Sequence, residues 1–95
     1  MYARMVIGEA ISEDQVREFR SIFKEEIESV ILREPGSKTA GMLIEDGGQM
    51  VIVLTGWETR EACLKYHSSR AYRQFVAKTQ HLLVGNFVVK LFQTQ

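Results

Sequence analysis

Residues 50–75 read MVIVLTGWETREACLKYHSSRAYRQF, and the fold turns on this stretch. The apolar run Met50 to Leu54 predicts a buried strand that carries the only tryptophan, Trp57, to its end. The segment that follows has a helical pattern and carries Cys63, Tyr66, His67, Ser69, Tyr72 and Phe75. A helix that folds back along the strand lays two tyrosines and a histidine near the indole. Any site is expected there.

Gln49 to Trp57 predicts strand 3. Val51, Val53, Thr55 and Trp57 share one face; Met50, Ile52 and Leu54 share the other. Both faces are apolar, so both should be covered. Asp46, Gly47 and Gly48 are a hairpin signal, and residues 37–45 before them predict a weaker strand 2. Gly41 within it suggests a bulge or a close backbone approach. Pro35 and Gly36 end the preceding helix. That helix shows an apolar stripe of Val16, Phe19, Phe23, Ile27, Val30 and Ile31. Ser12 with Gln15 predicts a capping box at its start. Residues 2–11 predict strand 1, in which Arg4 implies an edge, a partner surface or a pocket, against the favoured reading of a side chain that snorkels to water.

In the other direction, Thr59 should cap a helix. Ser68 and Ser69 should break it, with Ser69 capping a final helix from Arg70 to about Leu83. Gly85 and Asn86 stop the chain before strand 4, Phe87 to Phe92. The order strand, helix, two hairpin strands, helix, strand is the ferredoxin-like split βαβ pattern of the α+β class. It gives a four-stranded antiparallel sheet with the helices on one face. The other face then needs a second molecule, so a homodimer is expected.

The chain has 95 residues, enough for one domain with a limited core. Charged residues make up 25% and balance to a net charge of zero, which gives no whole-chain attraction to nucleic acid or anionic membrane. Acids crowd into residues 13–34. After Thr59 the bases Arg60, Lys65, Arg70, Arg73, Lys78 and Lys90 face one acid, Glu61. These are either solvated faces or a basic helix that attracts an anionic ligand. Cys63 is alone, so no intrachain disulfide forms, and a reducing, cytoplasmic location is expected. No apolar run approaches a membrane span, and no signal peptide is evident.

Glu34, Pro35 and Gly36, the pair Trp57 and Glu58, and the spaced set Ser69, Tyr72 and Phe75 together carry a resemblance. The chain resembles the antibiotic biosynthesis monooxygenase family of the dimeric α+β barrel superfamily, with matching spacing over nearly its whole length. The resemblance implies a homodimer with face-to-face sheets and a pocket in each subunit between sheet and helices. It also implies oxygenases of aromatic polyketides, quinols or haem, commonly without metal or flavin. Some positions depart from the family. Where aromatic-polyketide oxygenases have an Asn before the strand Trp and a Tyr after it, this chain has Val53 and Cys63. The Asn and His of haem-degrading members fall on Ile7 and near Val76. Many members carry a His where Tyr66 stands, and His67 is the next residue.

Trp57 is either a pocket wall that stacks on a flat ligand or an ordinary core aromatic. Tyr66 and Tyr72 either orient a phenol or quinol oxygen or simply pack. His67 is either a general base or a surface histidine. Cys63 is a small core residue or a thiol at the pocket. Ile7, Val51, Val53 and Phe75 complete the expected apolar lining. His81, near the end of the last helix, reads as a dipole-complementing or solvated residue. No spacing supports a metal site or a phosphate loop.

The expected function is a cofactor-independent monooxygenase of an aromatic, quinol or polyketide-like substrate, with His67, Tyr66 and Tyr72 as catalytic candidates. The alternative is a non-catalytic dimeric ligand-binding or interaction protein of the same fold.

Overall fold

A computed structural model describes residues 1–95. The strands are β1 (Tyr2–Glu9), β2 (Ser37–Ile44), β3 (Met50–Trp57) and β4 (Val88–Gln93). The helices are α1 (Glu13–Ile22), α2 (Glu28–Leu32), α3 (Arg60–His67) and α4 (Arg70–Thr79). The sheet order is β2-β3-β1-β4, and every pairing is antiparallel. This is the expected ferredoxin-like α+β arrangement.

Register explains the two faces. Residues directly opposite in an antiparallel pair point to the same side. Arg4 lies opposite Thr55, Val6 opposite Val53 and Gly8 opposite Val51. All six are buried beneath the helices. Met5 pairs with Leu54 and Ile7 with Ile52 on the opposite face. Leu43, Met50, Leu54, Val88 and Phe92 are exposed on that same face. Ile7 therefore cannot line a pocket between sheet and helices, because strand parity turns it to the open side.

The first helical segment covers residues 13–32. Val16, Phe19, Phe23, Ile27 and Ile31 are buried along it, and Val30 is half-buried at its flank. Steps of four residues drift by roughly 40° each on a helix with 3.6 residues per turn. A π-helical turn at Phe23–Ile27 winds the stripe back onto the sheet, which joins α1 to α2 without a break. At the start of the segment Ser12 bonds the Gln15 side chain rather than a backbone N–H, so the expected capping box is not formed. Gly36 follows α2 with φ +80°, and a Cβ there would lie 2.5 Å from Ala62 Cβ. Only glycine suits both the turn and that close approach.

The bulge expected at Gly41 lies instead between Ser37 and Thr39, and Gly41 has open space around it. The last helix ends at Thr79, earlier than expected. Thr79 is buried, and its hydroxyl donates to the Phe75 carbonyl at 2.8 Å. The chain then tightens into a 3₁₀ turn, Gln80–Leu82. There Leu82 O accepts from Ile11 N at 2.9 Å, which ties this turn to the chain beyond β1.

Candidate active site

Thr59 accepts a hydrogen bond from Ala62 N at 3.1 Å and starts α3 as its cap. The helix buries Cys63 and Tyr66 and ends at His67. Ser69 is the joint with α4. Its hydroxyl donates to Tyr66 O at 2.6 Å and accepts from Tyr72 N at 3.1 Å. One serine thus holds the last turn of α3 against the first turn of α4. The break brings three rings together: Tyr66 and Tyr72 lie 5.6 Å apart, edge to face, and His67 and Tyr72 lie 5.2 Å apart.

Trp57 extends this cluster inward, stacked on Tyr66 at 5.0 Å and 27°. It is 0% exposed, and its indole N–H donates to Thr55 Oγ1 at 2.8 Å. That bond accounts for its one polar atom, and none of the clefts reaches it. Trp57 backs the cluster. Val51 and Val53 are equally enclosed, and Phe75 packs edge to face against Phe19, Phe87 and Tyr72.

Arg4 stands at the centre of the cluster. The sequence favours a side chain running out to water; the structure buries it to 2% exposure, because its strand position shares the covered face with Val6. Its guanidinium carbon sits 4.4 Å from the Tyr72 ring centre and 5.1 Å from that of Tyr66. Such placements attract a cation to the ring face. Arg4 Nη2 lies 2.8 Å from His67 Nδ1. A guanidinium only donates, so Nδ1 accepts and the proton of a neutral imidazole sits on Nε2. Arg4 Nη1 and the Tyr66 hydroxyl are buried without a partner.

A cleft of about 310 Å³ opens here, lined by Arg4, Cys63, Leu64, His67, Val89 and Leu91. A second, of about 340 Å³, lies between the Glu34–Pro35 turn and α3 and touches Tyr66. The first holds the chemistry, because the buried cation and the histidine meet in it. The sequence raises a pocket for Arg4 as one option among several, and does not single out Leu64, Val89 or Leu91 as site residues. The parity that puts Arg4 beside Val6 is the available signal; nothing in sequence marks the two β4 residues or Leu64.

Burial pushes the Tyr66 hydroxyl well above the usual phenol range, with the Arg4 charge opposing and Tyr72 and Glu34 reinforcing. Tyr66 thus stays protonated in neutral solution. Burial also raises the Cys63 thiol, with Arg4 and Arg60 opposing, so Cys63 is protonated and weakly nucleophilic. Arg73 donates to Ser68 O at 2.9 Å and stays outside the cleft. No group of three or more His, Cys, Asp or Glu side chains could hold a metal ion.

A family model described as antibiotic biosynthesis monooxygenase matches residues 4–78. The chain belongs to the antibiotic biosynthesis monooxygenase family. Solved structures share its fold at low identity. A monooxygenase of Streptomyces coelicolor, in complex with nanaomycin D, superposes with TM-score 0.86 at 13% identity, covering 99% of this chain and 87% of its own. A cofactor-independent oxygenase of Streptomyces nogalater, solved as a point mutant, gives 0.82 at 15%, covering 99% and 92%. A conserved protein of Methanosarcina mazei gives 0.79 at 18%, covering 100% and 94%. No curated protein sequence matches the chain. No helix is long and apolar enough to cross a membrane.

Proposed function

We propose that this family member is a monooxygenase that oxidises a small electron-rich aromatic, a quinol or polyketide-like phenol, in the Arg4–His67 cleft. The observation that carries the reading is the 2.8 Å contact between Arg4 and His67 Nδ1 inside a mainly apolar cleft. The neighbour solved with nanaomycin D supports a small organic ligand for this fold.

The chemistry asks little of the protein. An ionised phenol or enol gives electrons to dioxygen far more readily than its neutral form. The enzyme then needs a base, a dry pocket and a fixed orientation. A substrate hydroxyl that enters beside Arg4 displaces the guanidinium from Nδ1 and gives its proton to that nitrogen. Tyr66 stays protonated and takes no proton from the substrate. Tyr66 and Tyr72 hold the Arg4 guanidinium with their ring faces. Trp57 and Phe75 pack against those rings from behind, Val51 and Val53 belong to the same buried core, and Cys63 is a small wall residue. For an anthrone the methylene carbon loses two hydrogens, gains one oxygen atom as a carbonyl, and the second oxygen atom leaves with the hydrogens as water. The substrate is the sole reductant, so no metal or flavin is required for the balance.

Turnover of an anthrone under isotopically heavy dioxygen tests the reading. One heavy atom should appear in the product and one in water. A product carrying oxygen only from solvent would overturn it.

A further inference from the structure

A guanidinium keeps its charge in any protein environment. Arg4 carries one into the interior at 2% exposure. The ion pairs of the molecule join Arg17 to Asp14, Lys24 to Glu28, Lys38 to Glu58 and Lys78 to Glu26, all elsewhere. Arg4 has no carboxylate partner. Its neighbours are a histidine nitrogen, two tyrosine faces and a cysteine, and none of these is an anion. A buried charge without a counter-charge is costly, and the ring faces offset only part of that. Nη1 has no acceptor at all, and the Tyr66 hydroxyl in the same cluster has no partner either.

We infer that Arg4 is the anion-binding residue of this cleft, and that the ligand is held as an anion, a planar aromatic bearing one ionised oxygen. The missing counter-ion of Arg4 is the ligand itself. The shared chemistry is an oxygen anion on a flat ring, and it has two sources, a carboxylate or a phenolate-type oxygen. This deepens the oxygenase reading by naming the charge of its substrate, and rests on the same cleft being the site. Arg60, whose charge acts on Cys63 in the cleft wall, adds positive potential beside Arg4.

Calorimetric binding tests this without turnover. The probes are 2-naphthoate, its neutral isostere 2-naphthamide, and 4-nitrophenol, whose visible absorption reports its own ionisation. Wild-type protein should bind naphthoate at least about tenfold more tightly than naphthamide, the scale of a charged hydrogen bond. Bound nitrophenol should absorb as the phenolate at a pH where the free compound is mostly neutral. Stronger binding of one anion than the other identifies the source. Arg4→Met should abolish the preference for anions, and Arg4→Lys should restore part of it. Equal affinity for naphthoate and naphthamide in the wild type overturns the inference and needs no variant to fold. So does an unchanged preference in a folded Arg4→Met protein. Anion-selective binding without oxygen uptake would leave this inference standing and remove the oxygenase reading.

Discussion

Arg4 and His67 stand 63 residues apart in sequence and 2.8 Å apart in space. A buried strand supplies the cation, and the last residue of a helix supplies the acceptor. Neither side chain makes an ion pair with an acid, so the pair waits for a third group.

Tyr66 gives the first prediction. Its hydroxyl is buried without a partner, and burial raises its pKa above the reference of 10.0. Removing the oxygen relieves an unmet desolvation cost. Tyr66→Phe should therefore be neutral or stabilising by up to ~2 kcal/mol near neutral pH. The sign with pH follows from linkage. Below pH 10.0 the phenol is protonated in both states and the full stability is present. Above it the unfolded chain ionises first, and stability falls as pH climbs toward the folded value. Urea unfolding across neutral and alkaline pH should show a steeper alkaline loss for wild type than for Tyr66→Phe. Strong destabilisation of Tyr66→Phe at neutral pH would mean the hydroxyl has a partner.

Gly36 is the second. A Cβ at φ +80° would meet Ala62 Cβ at 2.5 Å. Gly36→Ala should cost roughly 1–3 kcal/mol through backbone strain, with more added by the clash. Chemical denaturation measures it, and a loss below about half a kcal/mol, under the strain scale for such a backbone, would show that the turn yields.

Trp57 is the third. Its N–H bond to Thr55 and its stack on Tyr66 lie behind the cleft. Trp57→Phe should lower stability by about 1–3 kcal/mol, from the lost indole hydrogen bond to Thr55 and lost contacts. The effect on substrate affinity should be small. A large rise in KM with unchanged stability would place the indole against the substrate.

The open sheet face gives the fourth. Leu43, Met50, Leu54, Val88 and Phe92 are exposed there. A homodimer that joins these faces should bury more than about 1,000 Å² in total. Sedimentation should give a dimer at micromolar concentration, and Leu54→Glu should dissociate it. A wild-type monomer would contradict the assembly.

Much of this fold is legible because its signals are local. Pro35–Gly36, Asp46–Gly48 and the Ser69 cap each act through their own backbone, and strand parity sorts Val51, Val53 and Trp57 correctly. The site is less legible because it depends on tertiary contacts. Ile7 reads as pocket lining on its apolar character, whereas the sheet's register turns it to the open face. Arg4 in sequence suggests the general preference of long cations for water, which its place on the covered sheet face beside Val6 overrides here. Val89 and Leu91 reach the cleft only because β4 pairs with β1, a contact that no short stretch announces.

The fifth prediction goes to the oxidation itself: the rate of oxygen uptake with a panel of quinols and anthrones, for wild type and His67→Ala. At least one compound should be oxidised by wild type well above its spontaneous rate. Removal of the positioned base should then cut turnover by ~10²-fold or more, while the fold, whose core His67 does not join, stays intact. Uptake no faster than the uncatalysed reaction for every compound, or full activity in His67→Ala, would refute oxidation in the Arg4–His67 cleft.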